Sequence, residues 1–188
     1  EKDGVSELNP RELGIELPGY LAYKLLRPSW RLRLSAEVLD ASLRAQTVQR
    51  VAVSEGILQG KCFIHYKIEG AGAKAFKLLS PQPGAVLSIF GADIAQSTET
   101  DTELGVWTVT LRNKIQNEFR LEVHYQLPFE LQARTVTVQP VIALDDEGQK
   151  GYLAILSSDR LQVTLDKVPV SLREENARNI PAEIGAGD

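Results

Sequence analysis

Alternation of apolar and polar positions runs through most of this chain and is clearest in two stretches. In Ile57 to Glu69, ILQGKCFIHYKIE, residues Cys62, Ile64, Tyr66 and Ile68 share one parity, and Lys61, His65 and Lys67 share the other. This is the period-two signature of a half-buried strand. Glu118 to Leu127, EFRLEVHYQL, repeats it: Leu121, Val123, Tyr125 and Leu127 alternate with Arg120, Glu122, His124 and Gln126. In both segments the Tyr of a His-Tyr pair points inward and the His outward. Two such strands need a second layer over their apolar faces, and the rest of the chain has the strands to build one.

Trp30 to Val38 reads as a strand with Trp30, Leu32, Leu34, Ala36 and Val38 facing inward, and Tyr20 to Leu26 as a shorter one before it. Thr47 to Ser54 alternates up to Glu55-Gly56, a turn that makes a hairpin with the strand beginning at Ile57. Beyond Gly70-Ala71-Gly72, Lys74 to Ser80 and Ala85 to Phe90 are short strands around the turn Pro81-Gln82-Pro83-Gly84. Gly91 to Glu103 is polar, a loop or a solvent-facing edge. Leu104 to Leu111 places Trp107 in the core, and Asn113 to Asn117 joins it to the second His-Tyr strand. Leu131 to Ile142 is a further strand, followed by the turn Asp145-Asp146-Glu147-Gly148. Gly151 to Leu156, GYLAIL, is apolar on both parities, as in a central strand covered on both sides. Arg160 to Asp166 alternates again. Asn9, Pro10 and Gly14 start and stop one helical turn, and the capping-box pattern Ser171-x-x-Glu174 predicts a short helix to Asn179. The pattern predicts an all-β fold, an antiparallel β-sandwich of roughly ten or eleven strands with a short helical turn near each terminus. Residues 1–19 read as an arm or linker, 20–170 as the sandwich domain, and 171–188 as a short helix and tail.

Composition narrows the function classes. The chain has 188 residues, 43% hydrophobic and 24% charged, enough for one sizeable core. Its 21 basic and 25 acidic residues leave a net charge of -4, against the basic excess of a nucleic-acid binder. No long apolar run predicts membrane insertion by this segment. With no Met and no leader pattern, it reads as a piece of a longer protein. The one cysteine, Cys62, lies on the inward parity and reads as a small buried hydrophobe.

Candidate chemistry is sparse. His65 and His124 read as surface residues of strands, without further converging ligands for a metal. Asp93, Glu99, Asp101 and Glu103 have the oxygen chemistry of a calcium site but not the spacing of a calcium-binding loop, and a solvated edge explains them. Nucleophile elbows, zinc-binding helices and phosphate-binding glycine loops are missing from the sequence, so no catalytic residue, metal or cofactor is assigned. Of the aromatics whose parity is legible, Phe63 shares the outward face with Lys61, His65 and Lys67. These four are the candidate binding residues, since an exposed ring beside polar groups suits a sugar or a protein partner.

The segments EGILQGKCFIHYKIEGAGAKAFKLLSP, ELGVWTVTLRN, EFRLEVHYQLPF and KGYLAILSSDRLQV resemble β-sandwich segments of large bacterial membrane-anchored proteins of uncharacterised function. The resemblance implies a module of a longer extracytoplasmic polypeptide, in the periplasm or at the cell surface. The expected function is a non-enzymatic structural or protein-interaction module, contacting a protein partner or neighbouring domains of its parent chain. The alternative is a carbohydrate-binding sandwich with structural calcium.

Overall fold

A computed structural model describes residues 2–14, 21–35, 40–130, 135–146, 148–157 and 161–180. The chain is nearly all β, mostly antiparallel, in sheets that do not close on themselves. It divides into two compact units, Glu1–Val38 and Leu39–Asp188.

The first unit holds β1 (Lys2–Asp3), β2 (Val5–Leu8), β3 (Ala22–Leu25) and β4 (Arg31–Leu32), with β1 pairing β4 and β2 pairing β3. The turn expected after Asn9 is a 3-10 turn over Pro10–Leu13. Asn9 caps it by accepting from the Arg11 amide, and Gly14 closes it in the left-handed region at φ +72°. The strand expected from Trp30 to Val38 is corrected. Only Arg31–Leu32 pairs, Trp30 and Leu34 are 53% and 68% exposed, and residues 36–38 lie outside the described residues. Alternation marks a face that can be buried; a two-residue ladder in a two-stranded ribbon supplies nothing to bury it against. Of the strand expected from Tyr20, Ala22–Leu25 forms and Tyr20 lies outside the described residues.

The second unit is organised by two strands of 23 residues, β6 (Ile57–Leu79) and β9 (Val106–Pro128), which pair antiparallel. The sheet order is β11-β5-β6-β9-β7, with β10 also on β6 and β8 also on β9. Here β5 is Ala41–Ser54, β7 Leu87–Gly91, β8 Ile94–Asp101, β10 Ile142–Ala143 and β11 Lys150–Ser157. The β5–β6 hairpin turns on Glu55-Gly56 as the alternation predicts, with Gly56 at φ +79°.

Where the sequence reads loops at Gly70-Ala71-Gly72 and Asn113–Asn117, both long strands continue. Ile68 pairs Asn117, Ala73 pairs Ile115 and Ala75 pairs Thr110, so extra residues bulge first from β6 and then from β9. Gly70 (φ +77°) and Asn117 (φ +71°) supply the left-handed backbone this needs. The ribbon bends there. Tyr66 and Phe76 lie ten residues apart, which in a straight strand means roughly 33 Å; their ring centroids are 4.6 Å apart, and Phe76 stacks on Phe119 at 4.9 Å. Phe76 is fully buried, and each such ring contact adds about 0.5–1.5 kcal/mol to the burial itself.

The core gathers the inward parities: Leu43 and Val51 of β5, Cys62, Ile64, Tyr66, Phe76 and Leu78 of β6, and Val109, Leu111, Phe119, Leu121, Val123 and Tyr125 of β9. Trp107 is half-buried against it. Buried Gln49 substitutes for a strand: its Nε2 donates to Val141 O and its Oε1 accepts from Val141 N, both at 3.0 Å. Asp146 Oδ1 accepts from Ala45 N at 3.0 Å, and Gln149 Oε1 from Ala143 N at 2.8 Å. The Gln49 and Asp146 bonds tie Val141 and Asp146 to β5, and the Gln149 bond closes the turn between Ala143 and Gln149.

Several strand expectations are corrected in the last third. GYLAIL is the edge strand β11 and runs parallel to β5, with Ile155 and Leu156 37% and 54% exposed. Between Leu131 and Ile142 only Ile142 enters a strand, while 135–140 is unpaired and 131–134 lies outside the described residues. Residues 161–165 are likewise unpaired, and 158–160 are not described. The helix expected from Ser171 is a 3-10 turn, Ala177–Asn179, whose leading cap is Asn176, accepting from Arg178 N at 3.0 Å. Among the described residues no helix is long and apolar enough to cross a membrane.

Candidate functional site

Strand pairing fixes which side chains share the face turned away from the core. On β6 this face carries Lys61, Phe63, His65 and Lys67, the four residues singled out from sequence, placed in a line along the strand. Lys61 and Lys67 are exposed, and Phe63 and His65 half-buried. Their cross-strand neighbours on β9 are His124, Glu122, Arg120 and Glu118 in that order.

The charges on this face pair locally. His65 Nε2 is 3.3 Å from Glu118 Oε2, and His124 Nε2 is 2.5 Å from Glu122 Oε1. Lys67 Nζ lies 3.5 Å from Glu69 Oε1. The two histidines are half-buried residues of neighbouring strands, each beside its own carboxylate, with His65 Nε2 buried and making no hydrogen bond, and they do not form one paired centre. The Arg50 guanidinium lies 5.7 Å from the centroid of the Phe63 ring.

Reading across the strands brings out what reading along them missed. Tyr152 of β11 pairs Val48 of β5, Val48 pairs Phe63, Phe63 pairs Glu122, and Glu122 pairs Phe90 of β7. Cross-strand partners lie on the same face, so Tyr152, Val48, Phe63, Glu122 and Phe90 form one transverse row. Phe90 is 52% exposed and lies 5.1 Å from the His124 ring. Val48 is 1% exposed in the middle of the row. The row on one side is Ala154, Arg50, Lys61, His124 and Ser88; on the other it is Lys150, Gln46, His65 and Arg120. The parity of Leu87 and Ile89, which face the core, was the signal that could have placed Phe90 outward.

A shallow cleft of about 360 Å³ opens where the ribbon bends, lined by Lys67, Ile68, Glu69, Gly70, Gln116, Asn117 and Glu118. It is contiguous with the His65–Glu118 pair but not with the aromatic row.

The acidic 91–103 stretch is the edge strand β8 and its two turns. Asp93 Oδ2 accepts from Asn113 N and Nδ2, both at 3.0 Å, and Asp101 Oδ1 accepts from Leu104 N at 3.0 Å. Asp93 and Asp101 are thus turn caps, whereas Glu99 Oε1 is buried without a hydrogen-bond partner, and among the described residues no group of three or more His, Cys, Asp or Glu is arranged to hold a metal ion. Inside the core, burial pushes the Cys62 thiol and the Tyr66 hydroxyl well up, and raises Tyr125 to about 12. These groups stay protonated in the folded protein. Comparison with known proteins finds no matching family model and no matching curated relative.

Proposed function

We propose that this chain is a non-enzymatic β-sandwich module of a larger extracytoplasmic bacterial protein, and that it works by contact with a protein partner or a neighbouring domain. The resemblance of its strand segments to those of large membrane-anchored bacterial proteins supports the setting. The sandwich reading is supported by the ring contacts that bring the two halves of the bent β6–β9 ribbon to one core. Four of the ionisable groups that chemistry could use have structural neighbours, with His65 and His124 each beside a carboxylate and Asp93 and Asp101 capping turns.

The observation that carries the reading is β11. Among the described residues it ends the sheet on that side, and it lies in register with β5 from Lys150 to Ser157, with its last apolar residues, Ile155 and Leu156, exposed. A long edge strand of this composition is a template for an added strand. By contrast β8, at the other end of the ribbon, carries Glu99 and Asp101, which discourage pairing. Sedimentation velocity over a concentration series tests this, because an unsatisfied edge takes a second copy when no other partner is present. Wild type self-associates as concentration rises, and Ile155→Lys and Leu156→Lys stay monomeric. Identical monomeric behaviour of all three proteins would count against β11 as the contact strand.

A further inference from the structure

The transverse row goes beyond the edge-strand reading and does not rest on it. Strands in a sheet lie about 4.8 Å apart, so Tyr152, Phe63 and Phe90, each two strands from the next, recur at roughly 9.6 Å and the row spans about 19 Å. Adjacent bases in a stacked strand rise roughly 3.4 Å, and rings set nearly three times farther apart do not match that repeat. An extended chain of linked pyranose rings does, presenting every second ring to the next aromatic. The apolar C–H face of a sugar packs on the negative face of such a ring.

The flanks decide what kind of sugar. Lys61 lies on one side of the row and Lys150 and Arg120 on the other, with Glu122 the one acidic residue in the three rows and already held by His124. Lys61, Arg120 and Lys150 are exposed. This patch is basic on a chain whose net charge is -4. Guanidinium groups pair carboxylates in two-point hydrogen bonds, and Lys adds a mobile positive charge. We infer that the face of β11-β5-β6-β9-β7 turned away from the core binds an acidic polysaccharide. The polymer lies across the strands, its sugar rings on Phe90, Phe63 and Tyr152 and its carboxylates against Lys61, Arg120 and Lys150.

Isothermal titration of the full chain with oligogalacturonides long enough to span the row tests this, beside neutral galacto-oligosaccharides of equal length and oligothymidylate. The expected result is saturable binding of the oligogalacturonide that weakens as salt is raised. Neutral sugar should bind more weakly and oligothymidylate not at all. Phe90→Ala, Arg120→Glu and Lys61→Glu, all at exposed positions, each weaken the acidic oligomer about tenfold while leaving the thermal midpoint in place. Absence of saturable oligogalacturonide binding would overturn the inference. So would affinity unchanged in both Phe90→Ala and Arg120→Glu, or tighter binding of oligothymidylate.

Discussion

Replacing Gly60 by alanine tests the packing between the two long strands at one atom. Gly60 pairs Tyr125 across the β6–β9 ladder, and the Tyr125 ring lies flat over it: a Cβ built on Gly60 falls into the ring, against Cζ and both Cε atoms. The ring has nowhere to go, because Tyr125 is 3% exposed and packed among the core residues. A methyl forced into a filled core costs about 1–3 kcal/mol, and expelling the ring instead approaches the roughly 3–5 kcal/mol of deleting a large aromatic. Gly60→Ala is therefore expected to cost about 3 kcal/mol. That lowers the melting midpoint by roughly 6–12 °C, at about 2–4 °C per kcal/mol for a protein of this size. The control is the double-mutant cycle. Tyr125→Ala is itself costly, but it empties the space above residue 60, so adding Gly60→Ala to it costs close to nothing, a coupling of about 3 kcal/mol. Urea unfolding of the four proteins measures all the terms. A Gly60→Ala cost under about 0.5 kcal/mol, or an equal cost in both backgrounds, would refute the register and the ring's placement.

Two further perturbations read the core. Gln49→Leu leaves Val141 N and O without their side-chain partners in a buried setting, and should destabilise by about 2–4 kcal/mol in denaturant unfolding. On the alkaline side, Cys62, Tyr66 and Tyr125 have folded values raised by burial, so the unfolded chain releases these protons first. Stability is then fully present below the ordinary thiol and phenol ranges, about 8.5 and 10, and falls as pH rises through them, for Tyr125 until about 12. Unfolding free energies measured from neutral to alkaline pH should show this decline, and Tyr125→Phe should make it shallower.

The parts of this fold legible in the sequence are those that local alternation controls. The Glu55-Gly56 hairpin, the inward Tyr66 and Tyr125, the outward histidines and the buried Cys62 all follow from parity. The bend does not, because Gly70-Gly72 and Asn113–Asn117 look like loops in any single strand. They are bulges only because both strands break at the same level and pairing resumes beyond. GYLAIL misleads for a related reason. An apolar run records cover on the two faces, and Leu153 does pack on the core while Tyr152 is half-buried on the other side. It says nothing about whether a strand has neighbours on both flanks. Trp30 shows the reverse case, an apolar parity in a ribbon too small to bury it. Of the candidate site, Phe63 and its basic neighbours were legible as one strand's outward face. The row is not a property of one strand, since it takes one residue from each of five.

Both the edge contact and the row depend on β11 lying parallel to β5 with Tyr152 beside Val48. Cross-strand backbone NOEs on the isotope-labelled protein test that pairing directly. The structure requires contacts in parallel register from Lys150 against Gln46 to Ser157 against Val53, with the Tyr152 and Phe63 rings on the same face. An antiparallel pattern, pairing of β11 with another strand, or Tyr152 turned to the face opposite Phe63 would contradict it.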